Sequence, residues 1–566
     1  MRFALLSLAL TTAPAIAFQD AEPKPKSEET GLTADDLAAA GRVAAVELTD
    51  EEIALMLDDV RDRIADLERS RSLDLPNELP PAQTFGPWLP GMEPRGTQTA
   101  AALPELPRVE RPDDLQEVCS WSVVELAALL RQGDVTAVEL TETYLARLRR
   151  LDEHLHCVIT FTDERALAQA AERDVELARG EDRGLLHGLP WGVKDLMAVE
   201  GYRTTWGAAP FQDQVIDDTA AVVERLDRAG AVLIAKLSVG ALAWGDVWFG
   251  GRTRSPWNLE AGSSGSSAGS ASATAAGGVA FSLGTETLGS IVSPSVVCAT
   301  SALRPTFGRV PRTGTMALSW TMDKVGPITR TLEDADLVFR AIRGADGVDP
   351  FARDGRVAVE GAFDPERPLR IGVPRDAFRR GGGVDEIQDE LRDRGHELVP
   401  VDLPDLPMGA MMVTLNVEAA AAFDELTRSG RDDELVRQVK NAWPNAFRVA
   451  RLVPAVEYVR AQRLRTLLVR ETYAALAEVD LIVHAPYASG VLRITNLTGH
   501  PTVVAPFVPA AGPRGDGAPR TICFTGHLDR DEELLAFAAA WQRAYPHHVL
   551  RPPMPWLADA ADDGER

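Results

Sequence analysis

Residues 262–270 read Gly-Ser-Ser-Gly-Ser-Ser-Ala-Gly-Ser, and residues 283–294 read Leu-Gly-Thr-Glu-Thr-Leu-Gly-Ser-Ile-Val-Ser-Pro. By composition the first run would pass for a flexible linker. Its neighbours argue otherwise, because it leads into residues 273–283, which are apolar enough to be buried. Small residues entering a buried segment imply close approach of backbones. The Gly289-Ser290 pair offers a hydroxyl among backbone N–H groups.

Outward from that stretch, apolar strands alternate with amphipathic helices. Residues 188–194, Gly-Leu-Pro-Trp-Gly-Val-Lys, form a short apolar strand ending on a lysine. Ser122-x-x-Glu125 and Thr136-x-x-Glu139 are capping boxes, and Gly133 stops the first helix. Asp218 is placed to cap a helix carrying Val222 and Leu226, closed by Gly230, with a buried strand at 231–235. Further strands are read at 370–373, 398–401 and 480–484, helices fill 408–476, and a last helix spans 532–541. The pattern is that of an α/β layered core.

Ahead of this core the chain is different. Met1-Arg2, an apolar run from Phe3 to Leu10 and Ala15-Ile16-Ala17 form an export signal cut after Ala17. Residues 18–115 are read as an extension: a short linker, helices and a Pro-rich segment from Leu75 to Pro112. Thr49-x-x-Glu52 caps a helix in which Ile53, Leu57, Val60, Ile64 and Leu67 recur at helical spacing. The main domain is set at 116–555 and a tail at 556–566.

The 566 residues are 45% hydrophobic and 25% charged, values ordinary for a globular protein. A net charge of −25 argues against nucleic acid, which needs clustered Lys and Arg. No later segment has the length and apolarity of a membrane span. The four cysteines form no C-x-x-C pair. Cys119 and Cys157 could bridge in an oxidising compartment, and buried free thiols are the favoured state.

Which hydrolytic scheme fits? Gly265-Ser266-Ser267-Ala268-Gly269 matches the nucleophile elbow literally. Its context is wrong, since residues 255–264 are polar and turn-prone and are not read as a strand. No Gly-Lys-Ser/Thr follows the glycines, and the nine histidines show no metal spacing. What remains is lysine as base, which must be neutral and therefore desolvated or beside positive charge. Lys194 ends an apolar strand, although Asp195 would oppose its neutrality if it pointed inward, and Lys-Asp after a strand is also the pattern of a surface charge pair.

Four ordered motifs then carry a resemblance: Leu-His-Gly-Leu-Pro-Trp-Gly-Val-Lys-Asp-Leu at 186–196, the Gly/Ser-rich run, Gly-Thr-Glu-Thr-Leu-Gly-Ser-Ile at 284–291 and Leu-Arg-Pro-Thr-Phe-Gly-Arg-Val at 303–310. With Asp323-x-x-Gly326-Pro327 and Asn496-x-Thr498-Gly499-x-Pro501, the chain resembles the amidase signature family. The resemblance implies an α/β/α sandwich around a large mixed β-sheet. It implies an amide hydrolase with a Ser-cisSer-Lys triad, no metal or organic cofactor, and a small-molecule amide substrate. By position, Lys194 is the general base, Ser266 the bridging serine entered by a cis peptide bond, and Ser290 the nucleophile. Backbone N–H groups of Thr287, Leu288, Gly289 and Ser290 form the oxyanion hole. The chain departs from the family's usual residues at Ser264 and Leu288 for glycine, Glu286 for aspartate, Val292 for arginine and Arg304 for lysine. Arg304 is the candidate partner of Glu286.

Two alternatives stand beside this reading. One is the glutaminase subunit of a tRNA amidotransferase, disfavoured by the export signal, the acidic balance and the lack of a visible docking element. The other is a non-catalytic binding protein on the same fold. The specificity pocket is placed around residues 316–322, 408–470 and 487–495, with Trp320, Met411 and Met412 as candidate linings.

Overall fold

The computed structural model describes residues 31–558 apart from positions 45, 72–75, 78, 80–84, 91, 93–97, 101, 356, 361–363, 365, 376, 378–383 and 509–511. The export signal and most of the tail lie outside the described residues. The chain divides into two compact units, 1–76 and 77–566.

In the first unit, helices Ala34–Val43 and Asp50–Arg71 are described. Thr49 and Glu52 exchange the two bonds of the capping box, and Ile53 is buried. Arg61 reaches back to the carbonyl of Leu32 at 2.8 Å.

The second unit is built on an 11-stranded sheet. In chain order its strands are β1 (Val158–Phe161), β2 (Pro190–Lys194), β3 (Val232–Leu237), β4 (Phe281–Glu286), β5 (Ser301–Arg304), β6 (Lys324–Thr329), β7 (Arg370–Pro374), β8 (Glu397–Val401), β9 (Leu481–His484), β10 (Thr502–Phe507) and β11 (Arg520–Gly526). Across the sheet they run β8-β7-β9-β11-β10-β5-β6-β4-β2-β3-β1. The sheet is mixed: β2 pairs in parallel with β3 and β4, whereas β4, β6, β5, β10 and β11 form an antiparallel run. Helices cover both faces, giving the expected α/β/α sandwich. Strands β2, β4, β6 and β10 are buried at every position, which is why they read as continuous apolar or small-residue runs.

The capping boxes of helices Val123–Gln132 and Ala137–Leu155 form as read, and Gly133 closes the first in the left-handed conformation. Asp218 does not cap its helix. That helix starts at Ala221 behind Ala220, while the Asp218 carboxylate binds the N–H of Thr219. The polar stretch before the Gly/Ser-rich run is a small hairpin, Arg254–Ser255 with Asn258–Gly262, outside the main sheet. The Pro-rich segment also holds a short strand, Gln98–Ala100, parallel to Val357–Glu360. Alternation is too short in both places to outweigh their turn residues in a sequence reading. All four cysteines are free and buried. Among the described residues no helix is long and apolar enough to cross a membrane.

Candidate active site

Lys194 is the last residue of β2, and Glu286 is the last residue of β4. The two strands are parallel neighbours, so their carboxyl ends deliver both side chains to one end of the sheet. Lys194 is wholly buried. Its Nζ lies 2.8 Å from Ser266 Oγ, 3.1 Å from Ser267 Oγ, 2.7 Å from Thr285 Oγ1 and 3.3 Å from the Thr285 carbonyl oxygen. Among the described residues no carboxylate touches it. Burial pushes its pKa well below that of a free lysine, against the pull of Asp323 and Glu286. A neutral amine carries two N–H donors and one lone pair, so it can take a proton from a hydroxyl at this distance.

Asp195 points inward as well, but it is committed elsewhere. Its carboxylate pairs with Lys236 at 2.8 Å and accepts the N–H and hydroxyl of Thr205. Both partners of the ion pair are fully buried. The Lys-Asp dipeptide is therefore two separate buried sites and not a surface charge pair.

The Gly/Ser-rich run turns from the small hairpin into the helix Ala268–Ala276. The peptide bond between Gly265 and Ser266 is cis, in keeping with the family resemblance. A Cβ on Gly265 would sit 1.9 Å from the carbonyl oxygen of Gly245, so only glycine fits there. Ser266 is 1% exposed. Ser267 is no exposed elbow: it is buried, donates its hydroxyl to the Thr285 carbonyl and accepts the Thr285 N–H, both at 3.1 Å. Its own N–H donates to the carbonyl of Ser290 at 3.1 Å, which ties the Gly/Ser-rich turn to the loop that carries Ser290.

Residues 287–291 form the loop between β4 and helix Val292–Cys298. Glu286 anchors it. One carboxylate oxygen accepts the N–H groups of Ile291 and Val292 at 2.8 and 2.9 Å. The other accepts Arg304 at 3.1 Å and Asn496 at 2.8 Å. Arg304 is the partner read from the sequence, and this set holds a loop that has valine where the family usually has arginine. From the other side, Thr287 donates its hydroxyl to Asp323 at 2.5 Å. Gly289 adopts φ +96°, which side chains rarely allow. Ser290 is 8% exposed. Among the described residues, no acceptor meets the backbone N–H groups of Thr287, Leu288, Gly289 or Ser290. Four such donors on one short loop can stabilise a developing oxyanion.

The pocket candidates divide. Met411 is fully buried, whereas Met412 is partly buried against the same apolar cluster. Met316, Leu318 and Met322 join this cluster with Leu196, and Leu288 of the loop packs on it. Trp320 donates its indole N–H to the carbonyl of Asn77 at 3.1 Å.

Sequence reading missed several supports. Thr285 lies inside a motif already quoted, and Asp323 likewise. Glu418 carried no signal: it sits in an Ala-rich helix, Val413–Ala422, where one carboxylate reads as solvated. It is buried and accepts the hydroxyls of Ser319 and Thr321, the N–H of Thr321 and the hydroxyl of Tyr458.

Comparison with known proteins agrees with the geometry. The family model described as Amidase matches residues 139–508. A glutamyl-tRNA(Gln) amidotransferase subunit from Roseiflexus sp. (strain RS-1) is 34% identical over 479 residues, covering 75% of this chain and 96% of the relative. Its counterpart from Methylococcus capsulatus is 32% identical over 485 residues, covering 76% and 98%. Among solved structures, native peptide amidase from Stenotrophomonas maltophilia superposes with TM-score 0.67 at 27% identity, covering 77% of this chain and 99% of that one.

Proposed function

The chain belongs to the amidase family, and on that premise we propose that it cleaves a carboxamide through an acyl-enzyme on Ser290. Membership makes it an enzyme acting on carbon–nitrogen bonds. The observation that carries the finer reading is the buried Lys194 amine 2.8 Å from Ser266 Oγ, with no carboxylate in contact among the described residues. Lys194 is the base, Ser266 the bridge and Ser290 the nucleophile. Ser290 Oγ attacks the carbonyl carbon while its proton passes to Ser266 and the Ser266 proton to Lys194 Nζ. The oxyanion is met by the N–H groups of residues 287–290; losing one such donor typically costs about 3 kcal/mol of transition-state stabilisation. The C–N bond breaks as Lys194 returns the proton through Ser266 to the leaving nitrogen. Water then adds to the ester by the same relay and releases the acid.

The identity of the amide has two readings. A free-standing amidase is supported by the likeness to peptide amidase. A glutaminase subunit working with a protein partner is supported more directly, by the names of the relatives at 30–34% identity over most of their length. Of the features that set this reading second in the sequence, the acidic balance stands and the export signal lies outside the described residues. Export after Ala17 belongs to the first reading and is tested by N-terminal analysis of the secreted protein.

A fluorophosphonate probe tests the chemistry. Wild type should be labelled on Ser290, with loss of labelling in Ser290→Ala. Labelling on Ser267, or none at all, would overturn the relay. Ammonia release from glutamine against simple apolar amides then separates the two substrates.

A further inference from the structure

The turn at residues 317–323 is held from three sides. Asp323 accepts the N–H groups of Leu318 and Ser319 at 2.8 and 2.9 Å with one oxygen and the Thr287 hydroxyl with the other. Glu418 accepts Ser319 and Thr321. The third holder comes from ahead of residue 139, where the family match begins. Asn77 accepts the N–H of Ala317 through Oδ1 at 2.7 Å and donates Nδ2 to the carbonyl of the same residue at 3.1 Å. The same Nδ2 also lies 3.3 Å from the carbonyl of Ala422, at the end of the helix that carries Glu418. Its own carbonyl accepts Trp320 at 3.1 Å.

We infer that Asn77 is a positioning residue for the reaction, an inference that rests on Ser290 and its loop being the reacting centre. A carboxamide is the side chain this contact demands, because it must both donate and accept along one backbone segment. Fixing Ala317 and Trp320 fixes the turn whose N–H groups orient the Asp323 carboxylate. Asp323 in turn holds Thr287, the first residue of the loop that carries the oxyanion donors. Displacement of those donors lowers transition-state stabilisation while leaving substrate affinity nearly intact. Residues before the family domain thus contribute to the chemistry from a distance.

The test uses the full chain with Asn77→Ala and Asn77→Asp. Aspartate keeps the size and the acceptor but turns its second oxygen on the carbonyls of Ala317 and Ala422. The expected result is a five- to tenfold fall in kcat for alanine, a larger fall for aspartate, and KM within twofold for both. Combination with Thr287→Val should give less than the product of the single losses, because both act through Asp323. Unchanged kcat, an aspartate variant as active as wild type, or fully multiplicative losses would overturn the inference. If the Asn77 variants do not fold, Trp320→Phe removes a single bond and should lower kcat in the same direction; no change would count against it. Wild type labelled at Ser290 while the variants keep their kcat sinks this inference alone. Wild type unlabelled at Ser290 sinks the relay and this inference with it.

Discussion

The guanidinium of Arg304 and the carboxylate of Glu286 meet at 3.1 Å with neither side chain exposed to solvent. Burial by itself would raise the Glu286 pKa; Arg304, the Val292 N–H, Lys324 and Asn496 outweigh it and hold the carboxyl below its usual range. A depressed folded pKa means stability that is present above the unfolded value, about 4.3, and lost as pH falls through the folded one. Glu286→Gln should therefore melt lower at neutral pH, by an amount on the order of 3–5 kcal/mol for a broken buried pair, and its melting should depend less on pH below about 4. Its kcat should fall too, since glutamine has one acceptor oxygen for two donor pairs and turns its NH2 on either the Ile291 and Val292 N–H groups or Arg304 and Asn496. Thermal melts from pH 3 to 7 with parallel kinetics check both.

The pH–rate profile reports on Lys194. Because burial lowers its pKa, the acid limb of kcat/KM should lie well below the titration of a free lysine. Activity should fall as pH drops through that limb and the amine becomes protonated. Lys194→Met should lose at least about a thousandfold in kcat yet retain its fold, as read by circular dichroism.

Gly289 is the position where a single methyl group should act on catalysis. A Cβ there would lie 3.0 Å from Ser293 Oγ and 3.3 Å from Leu492 Cδ2, on a backbone with φ +96°. Gly289→Ala should move the loop and cost about a hundredfold in kcat with a modest drop in Tm. Wild-type kcat in this variant would remove the loop from the mechanism.

Glu418 accepts four hydrogen bonds from neutral donors and has no direct ion pair among the described residues. Glu418→Ala leaves those donors without an acceptor and should destabilise the protein by about 2–4 kcal/mol, measured by urea unfolding. A change under about 0.5 kcal/mol would show that water replaces the carboxylate freely.

Much of this was legible in the sequence for physical reasons. Lys194 ends a run too apolar to lie outside, and Ser266 and Ser290 sit in small-residue motifs that only close packing requires. Capping boxes announced the helices at 123 and 137 because they are local. Contacts between distant segments were not legible: Asn77 with Ala317, Glu418 with Thr321, and Asp195 with Lys236 depend on a sheet order that no local pattern encodes. Asp218 misled for the opposite reason. It has a capping residue's chemistry, yet the chain between it and the helix is spent on a bridge to other turns, with the Thr219 hydroxyl taking the Glu200 N–H.

The Asp195–Lys236 pair has an effect beyond packing. The carboxylate next in sequence to Lys194 carries its counter-charge with it, and an unpaired carboxylate there would favour protonation of the proposed base. Lys236 touches neither Ser266 nor Ser290 in any contact described, yet replacing it by methionine would free that charge and carry the acid limb of the rate profile to higher pH. The working pH of the enzyme is thus adjustable from a strand interior, without altering a residue of the relay.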